Sequence, residues 1–178
     1  MHPKAMFLYG TNKEGGNPNF ALFTWFTLCW DGELCAMVCI GENKLTKDRI
    51  LAEGKFSANL VSGAMLPLAD YFGNKSGYDV DKMDIDVKTR RGKVLDVPIL
   101  SDSPLIYELE VKHHMPLEED SSVFICKIRN EIKPEGIGEG NLEDFVRQTP
   151  PALTIGYEYY TVQPTSKGKW GQWKNKES

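Results

Sequence analysis

The sequence contains no G-x-S-x-G elbow, no H-E-x-x-H, no P-loop and no G-x-G-x-x-G opening a helix. Hydrolase, metalloprotease, kinase and Rossmann dehydrogenase readings therefore all lose support together. Metal and disulfide residues are also sparse, with four cysteines and three histidines in 178 residues. Cys29, Cys35 and Cys39 follow the spacing C-x5-C-x3-C, without the close C-x2-C hairpin of zinc ribbons. On a strand, Cys35 and Cys39 would share a face about 13 Å apart, too far for one ion. A chain able to build a core does not need a disulfide framework, and nothing resembling a signal peptide precedes the cysteines, so a cytoplasmic protein is expected. These three and Cys126 read as buried small hydrophobes; the alternatives are a cysteine beside a cofactor, a metal ligand or a redox pair. His113 and His114 are neighbours in an apparent strand and should point to opposite faces, while His2 lies in an N-terminal arm. The acidic run Asp79, Asp81, Asp84, Asp86 lacks the glycine and terminal glutamate of a calcium loop, and reads as a solvated turn.

Charge of one sign is not in excess. The chain carries 21 basic and 25 acidic side chains, a formal net charge of −4, and 26% charged residues. That balance argues against disorder, a membrane-embedded chain and a dedicated nucleic-acid binder, which would show a concentrated basic face. The length suits one domain, able to bury roughly 70% of the unfolded surface. No repeat, linker or low-complexity block divides it.

The apolar segments are short and numerous. A strand is expected over Ala5–Tyr9, ended by Gly10 and the turn-rich stretch Gly15-Gly16-Asn17-Pro18-Asn19. The aromatic and β-branched run Phe20–Trp30 reads as one strand covered on both faces, and Leu34–Ile40 as the next after the turn Asp31-Gly32. Thr46 opens an expected helix over Lys47–Glu53, with Ile50 and Leu51 inward and Gly54 as the stop. Phe56–Val61 is a strand and Met65–Phe72 a helix burying Leu66, Ala69 and Phe72; the polar loop Gly73–Asp79 follows. Leu105–Val111 and Ser122–Arg129 alternate as antiparallel strands with one wet face. Glu135–Asn141 reads as a loop and Ala152–Val162 as a last strand carrying Tyr157, Tyr159 and Tyr160. The tail, with Trp170 and Trp173, is expected to wrap the body. The fold class is mainly β with short helices, a barrel with helical decoration.

One segment has the chemistry of an anion site. In Gly41-Glu42-Asn43-Lys44-Leu45-Thr46-Lys47 a strand ends at glycine, a lysine follows, and threonine begins a helix. Free helix-terminal N–H groups and a hydroxyl can donate to a phosphate monoester while Lys44 or Lys47 supplies countercharge. Thr46 would serve equally as an N-cap with no ligand. The aromatic run before it, with Phe23 and Trp25, could wall a flat cofactor or simply pack the core.

Taken in order, several segments resemble the flavin reductase-like family, the FMN-binding split β-barrel proteins that include flavoredoxins. They are Gly16-Asn-Pro-Asn-Phe-Ala-Leu-Phe-Thr-Trp25, Gly41–Lys47, Gly54-Lys-Phe-Ser-Ala-Asn-Leu-Val61, Tyr71-Phe-Gly-Asn-Lys-Ser-Gly-Tyr-Asp-Val-Asp-Lys82, Pro98-Ile-Leu-Ser-Asp-Ser-Pro104 and Val123-Phe-Ile-Cys-Lys-Ile128. The resemblance spans roughly residues 3 to 163, implying a split-barrel domain over 1–163 and a tail over 164–178. It implies a homodimer with FMN near the subunit interface, and electron transfer from NAD(P)H to flavin, iron or another small-molecule or protein acceptor. A carrier that holds FMN without direct NAD(P)H activity is the alternative. Neither nucleic acid nor membrane is an expected partner. Carried over residue by residue, Asn19, Phe20, Ala21, Phe23, Thr24 and Trp25 would line the ring. Lys44 and Thr46, with Lys47 beside them, would hold the phosphate, and Cys39, Ile40 and Gly41 would border it. Ala58, Asn59 and Leu60 match the strand that contacts the ring or ribityl chain, and Lys82 matches a basic residue beside the flavin. The chain departs from the family at Glu33-Leu34, where members often carry Pro-Pro, and near Cys39–Gly41, where many have arginine or serine. No catalytic side chain is expected, because the flavin carries the chemistry.

Overall fold

A computed structural model of the chain describes residues 2–134 and 142–172. The expected loop at Glu135–Asn141 and the tail from Trp173 onward lie outside the described residues.

Seven strands form one antiparallel sheet: β2 (Phe7–Asn12), β3 (Pro18–Phe23), β4 (Phe26–Trp30), β5 (Leu34–Ile40), β6 (Lys55–Leu60), β9 (Ile106–Pro116) and β10 (Ser122–Ile132), ordered β3-β2-β6-β9-β10-β5-β4. β3 and β4 thus occupy opposite edges, yet only Thr24 and Trp25 separate them in sequence. Such a link spans on the order of 10 Å, whereas seven strands laid flat would be roughly 29 Å across. The sheet must therefore curl until its edges meet. Aromatic contacts mark the closure: Phe7 stacks on Phe26 with ring centroids 4.2 Å apart, and Phe26 faces Tyr107 at 5.8 Å. The aromatic run expected as a single strand over Phe20–Trp30 is thus two strands that break at the seam.

Inside the curl, Tyr9, Val38, Ile40, Phe56, Leu109 and Phe124 form the main core, which Ile50 of α1 (Leu45–Glu53) plugs. A second core lies on the other face of β2, where Met6, Leu8 and Phe20 pack against Ala69 and Phe72 of α2 (Leu66–Asn74). β2 is covered on both faces, so its five leading residues are all buried. Gly10 does not end it. The strand runs through to Asn12, and a side chain at Gly10 would collide with the Pro98 carbonyl, Ser57 Oγ and the Phe20 ring.

Smaller elements complete the chain. β7 (Thr89–Arg91) and β8 (Pro98–Leu100) form a ribbon, and β1 (Lys4–Ala5) pairs with β11 (Ala152–Ile155), which pairs with β12 (Glu158–Thr161). The last expected strand is therefore a hairpin, turned at Gly156 with φ of 62°. α3 (Leu142–Gln148), β7 and β8 have no periodicity long enough to announce them. α1 starts two residues earlier than expected, and it buries Thr46, Lys47 and Ile50, while Leu51, expected inward, is 47% exposed. Gly54 does stop the helix, at φ of 66°. Among the described residues, no helix is long and apolar enough to cross a membrane.

Candidate functional site

As an edge strand, β3 pairs only with β2, and so leaves one row of backbone N–H and C=O groups outside the sheet ladder. Along this edge opens a cavity of about 250 Å³, bounded by Ala21, Leu22 and Phe23, the start of α1, the end of α2 and the loop after it. Asn19 and Thr46 meet at its base, where Asn19 Nδ2 donates to Thr46 Oγ1 at 3.1 Å. Asn19 is fully buried, and its Oδ1 has no hydrogen-bond partner. An orphaned buried acceptor of this kind calls for a donor.

Thr46 is not the N-cap. Lys44 holds that position with extended backbone, α1 begins at Leu45, and no side chain caps its first turn. The amides of that turn, left without a side-chain acceptor, carry the positive end of the helix dipole. Lys44, half-exposed, borders the cavity and pairs with Glu42 at 3.1 Å.

Lys82 closes the opposite wall. It is only 2% exposed, and its Nζ donates to the Phe72 carbonyl at 3.1 Å. Burial, with the like charges of Lys13 and Lys44 adding to it, lowers its amine to about 8. The loop between α2 and Lys82 folds over the cavity. Tyr78 donates its hydroxyl to the Asp48 carboxylate and lies 2.7 Å from Asn43 Oδ1, pinning the loop to α1. Burial first, then the Asp48 carboxylate, push Tyr78 up to about 12, so it remains a donor. A side chain at Gly77 would come within 2.8 Å of Asn19 Oδ1.

Six of the expected residues thus share one cavity: Asn19, Ala21, Phe23, Lys44, Thr46 and Lys82. Thr24, Trp25 and Cys39 border a second hollow of about 370 Å³ that begins where Phe23 ends, and a side chain at Gly41 would meet the Trp25 ring. Cys39 and Cys29 are half-buried there and nearby, unlike the fully buried Cys35 and Cys126. The others point elsewhere. Phe20 packs on Phe72 at 5.8 Å, and Ile40, Ala58 and Leu60 belong to the main core. Asn59 is spent inside the fold, donating to the Leu8 carbonyl and Ser57 Oγ and accepting from the Leu100 N–H.

Lys47 turns away from the cavity. Its buried ammonium donates to the Glu42 and Asp120 carbonyls and sits 2.8 Å from Asp120 Oδ2. Glu42, Glu119 and Asp120 all adopt left-handed backbone there, with φ of 62°, 53° and 55°. Non-glycine residues hold that conformation only where the surroundings impose it. Lys47 bonds to two of the three, Glu42 and Asp120, fastening the loop that carries Lys44 to the β9–β10 turn.

Sequence reasoning missed Asn43, Leu45, Phe72 and Tyr78 as lining residues. Asn43 and Leu45 lie within the anion-site segment Gly41–Lys47, and Phe72 and Tyr78 within the segment Tyr71–Lys82 that carries the resemblance.

Solved structures of other proteins share this architecture. A flavoredoxin from Methanosarcina acetivorans superposes with a TM-score of 0.84 at 21% identity, covering 97% of this chain and 91% of its own. An FMN-binding protein from Thermus thermophilus gives 0.78 at 22%, covering 94% and 91%. A protein from Shewanella frigidimarina described as having a split barrel domain gives 0.81 at 16%, covering 94% and 86%. Among curated proteins none matches the sequence. At these identities the structures establish the fold, a split β-barrel. The model of the flavin reductase like domain matches residues 1–154 of the sequence itself, and the chain therefore belongs to the flavin reductase-like family.

Proposed function

We propose that this chain is an FMN-binding oxidoreductase that accepts electrons from NAD(P)H and passes them to a flavin, an iron species or a redox protein. The observation that carries the reading is the cavity on the free edge of β3, where an uncapped helix start, Lys44, the Thr46–Asn19 pair and Lys82 converge. This donor set fits an FMN phosphate and ribityl chain, and the orphaned Asn19 Oδ1 suits a hydroxyl or ring N–H. A cavity of about 250 Å³ is below the usual size for a whole cofactor, so it encloses one end only. The adjoining hollow at Thr24, Trp25 and Cys39 gives a flat ring room to continue.

Bound FMN supplies two-electron chemistry, taking a hydride from a reduced nicotinamide and releasing two electrons to the acceptor. The chain positions and polarises. The first turn of α1 and Lys44 hold the dianionic phosphate, while the open edge of β3 offers N–H and C=O groups to a polar ring edge. Protonated Lys82, on the opposite wall of the same cavity, adds positive charge beside the phosphate and ribityl chain. No acid–base pair or nucleophile is required of the side chains.

The same reading makes the protein a homodimer. On the outward face of the sheet beside the second hollow, Trp25, Met37 and Met115 are exposed at 55%, 37% and 54%, with Val123 and Ile125 half-buried between them. An apolar outer face is unusual on a monomer, and a second copy seated there would enclose the ring end of the cofactor.

The deciding experiment is the visible spectrum of the purified protein, followed by anaerobic mixing with NADH and NADPH. Flavin bands that bleach with either nicotinamide support the reading. Bands that persist with both but bleach with a reduced protein select the carrier, and a protein that neither carries nor takes up FMN overturns both.

A further inference from the structure

Between Phe72 and Lys82 the chain leaves the second core and returns to it. Phe72 is 1% exposed, and Met83 packs against the same core. The Lys82 ammonium closes the base of the excursion by donating to the Phe72 carbonyl at 3.1 Å, which makes the segment a compact Ω-loop. Little apolar burial holds its span down. Its large apolar side chains, Tyr78 and Val80, are 47% and 43% exposed, so polar ties carry most of the attachment. Segments held in this way open at a lower cost than packed core.

Two such ties reach outward. Toward the end of the span Asp81 meets Lys13 of the β2–β3 turn at 2.8 Å. In its middle Tyr78 donates its hydroxyl to the Asp48 carboxylate and rests 2.7 Å from Asn43 Oδ1, so the phenol lies across the start of α1. Within the span the backbone N–H groups of Asp79 and Val80 both donate to the Ser76 carbonyl at 3.3 Å, giving it an internal structure of its own.

The loop covers the part of the cavity that has most to offer a ligand. Gly73–Tyr78 form one wall, facing Lys44 and Thr46. Gly77 sits over the orphaned Asn19 Oδ1: a Cβ built there would come within 2.8 Å of that oxygen and 2.9 Å of Leu45 Cδ2. Only a residue without a side chain lets the loop seat so low. The buried acceptor that calls for a donor therefore lies under the loop, not at the mouth of the cavity.

We infer that the segment 73–81 is a lid latched by Tyr78, and that it must lift for the flavin phosphate to enter or leave. The inference rests on the reading of the edge cavity as a flavin site. The latch is already formed in the unliganded chain, and a ligand housed beneath the closed lid leaves it intact. Tyr78 thus stabilises the free and bound forms alike, and its strength cancels in the equilibrium affinity. It does not cancel in the rates, because entry and exit both wait for an opening. The lid sets how quickly flavin exchanges and leaves unchanged how much is bound.

The test is stopped-flow flavin fluorescence on the full chain, stripped of flavin and mixed with FMN. Tyr78→Phe keeps the ring and removes the bond to Asp48. Its association and dissociation rate constants should both rise, roughly threefold to tenfold, with Kd within about twofold of the native value. Gly77→Ala, which props the lid against Asn19 and Leu45, should also raise both rates. Faster release alone, with Kd weakened in step, makes Tyr78 an ordinary ligand contact and overturns the gate, as do native rates in either variant. Hydrogen exchange of the unliganded chain reads the lid without flavin. The amides of Asp79 and Val80 should exchange faster in Tyr78→Phe by about the same factor as the rates, and equal exchange overturns the latch. A chain that takes up no FMN yet shows this difference overturns the flavin reading and leaves the lid in place.

Discussion

Asn19 and Thr46 lie 27 residues apart in sequence and are joined by a buried hydrogen bond of 3.1 Å. The bond ties the exposed edge of the barrel to the first turn of α1. Thr46→Val removes the acceptor and leaves Asn19 Nδ2 with only the 3.5 Å contact to Thr11. Stability should fall by about 1–3 kcal/mol, the usual cost of an orphaned buried donor. FMN affinity should fall at least about tenfold, since a phosphate-facing hydroxyl is lost with it. Calorimetry and flavin fluorescence titration measure the two effects; unchanged affinity in a folded variant removes Thr46 from the site.

Lys47 acts on the same site from outside it. Lys47→Met leaves the Glu42 and Asp120 carbonyls without their donor and frees these two left-handed residues from the ammonium that ties them together. A loss of about 2–3 kcal/mol is expected. FMN should bind more weakly because the loop bearing Lys44 is no longer fixed, and riboflavin, which lacks the phosphate, should lose less. Equal losses for both ligands would mean the clamp serves stability alone.

Lys82 gives the site a pH signature. Its amine is lowered from 10.5 to about 8, so the unliganded fold disfavours the charged form, and its own stability contribution improves as pH rises from about 8 toward 10.5. A bound anion favours the charged form. FMN affinity should therefore be full below about pH 8 and decline above it, with proton uptake on binding. Titrations from about pH 7 to about pH 9.5 should show this slope in the native chain and a flat profile in Lys82→Met. A slope that survives the substitution assigns the titration to another group.

Glu108, fully buried, accepts hydrogen bonds from the backbone N–H groups of Lys93, Val94 and Leu95 in the turn after β7, and makes an acid-side prediction. Its carboxyl is held below the ordinary value, so its stabilising contribution is present above that value and is lost as pH falls through the folded one. Glu108→Gln replaces an acceptor with a donor facing backbone N–H groups. It should cost about 2–3 kcal/mol and shift the acid unfolding midpoint less steeply with pH than in the native chain. A variant as stable as the parent at neutral pH would show that the turn finds another anchor.

The outward apolar face predicts dimer dissociation on Met37→Glu, read by analytical ultracentrifugation. A monomeric native chain would remove the second copy from the proposed site.

Much of the barrel is legible in the sequence because the alternation in Ser122–Arg129 reports its buried face directly and the apolar run Leu34–Ile40 marks a strand, although Leu34 and Met37 in that run are exposed. Lys44 and Lys82 are legible from the segments that carry the family resemblance. What stays hidden is contact order. Nothing local tells Lys47 from Lys44, since the Asp120 carboxylate that claims Lys47 is 73 residues away. Tyr78 reaches the cavity only because its loop folds back on α1, and the break at Thr24–Trp25 is dictated by closure of the sheet, not by any turn residue.

The free edge of β3 has a consequence beyond chemistry. A strand with an unpaired backbone row is a template on which another chain can add itself, and here the edge borders the cavity instead of carrying charges along its length. A ligand lying along it would occupy the same backbone groups. Cofactor supply would then govern solubility as well as turnover, and protein made in flavin-starved cells should show greater self-association by light scattering than protein made with flavin in excess.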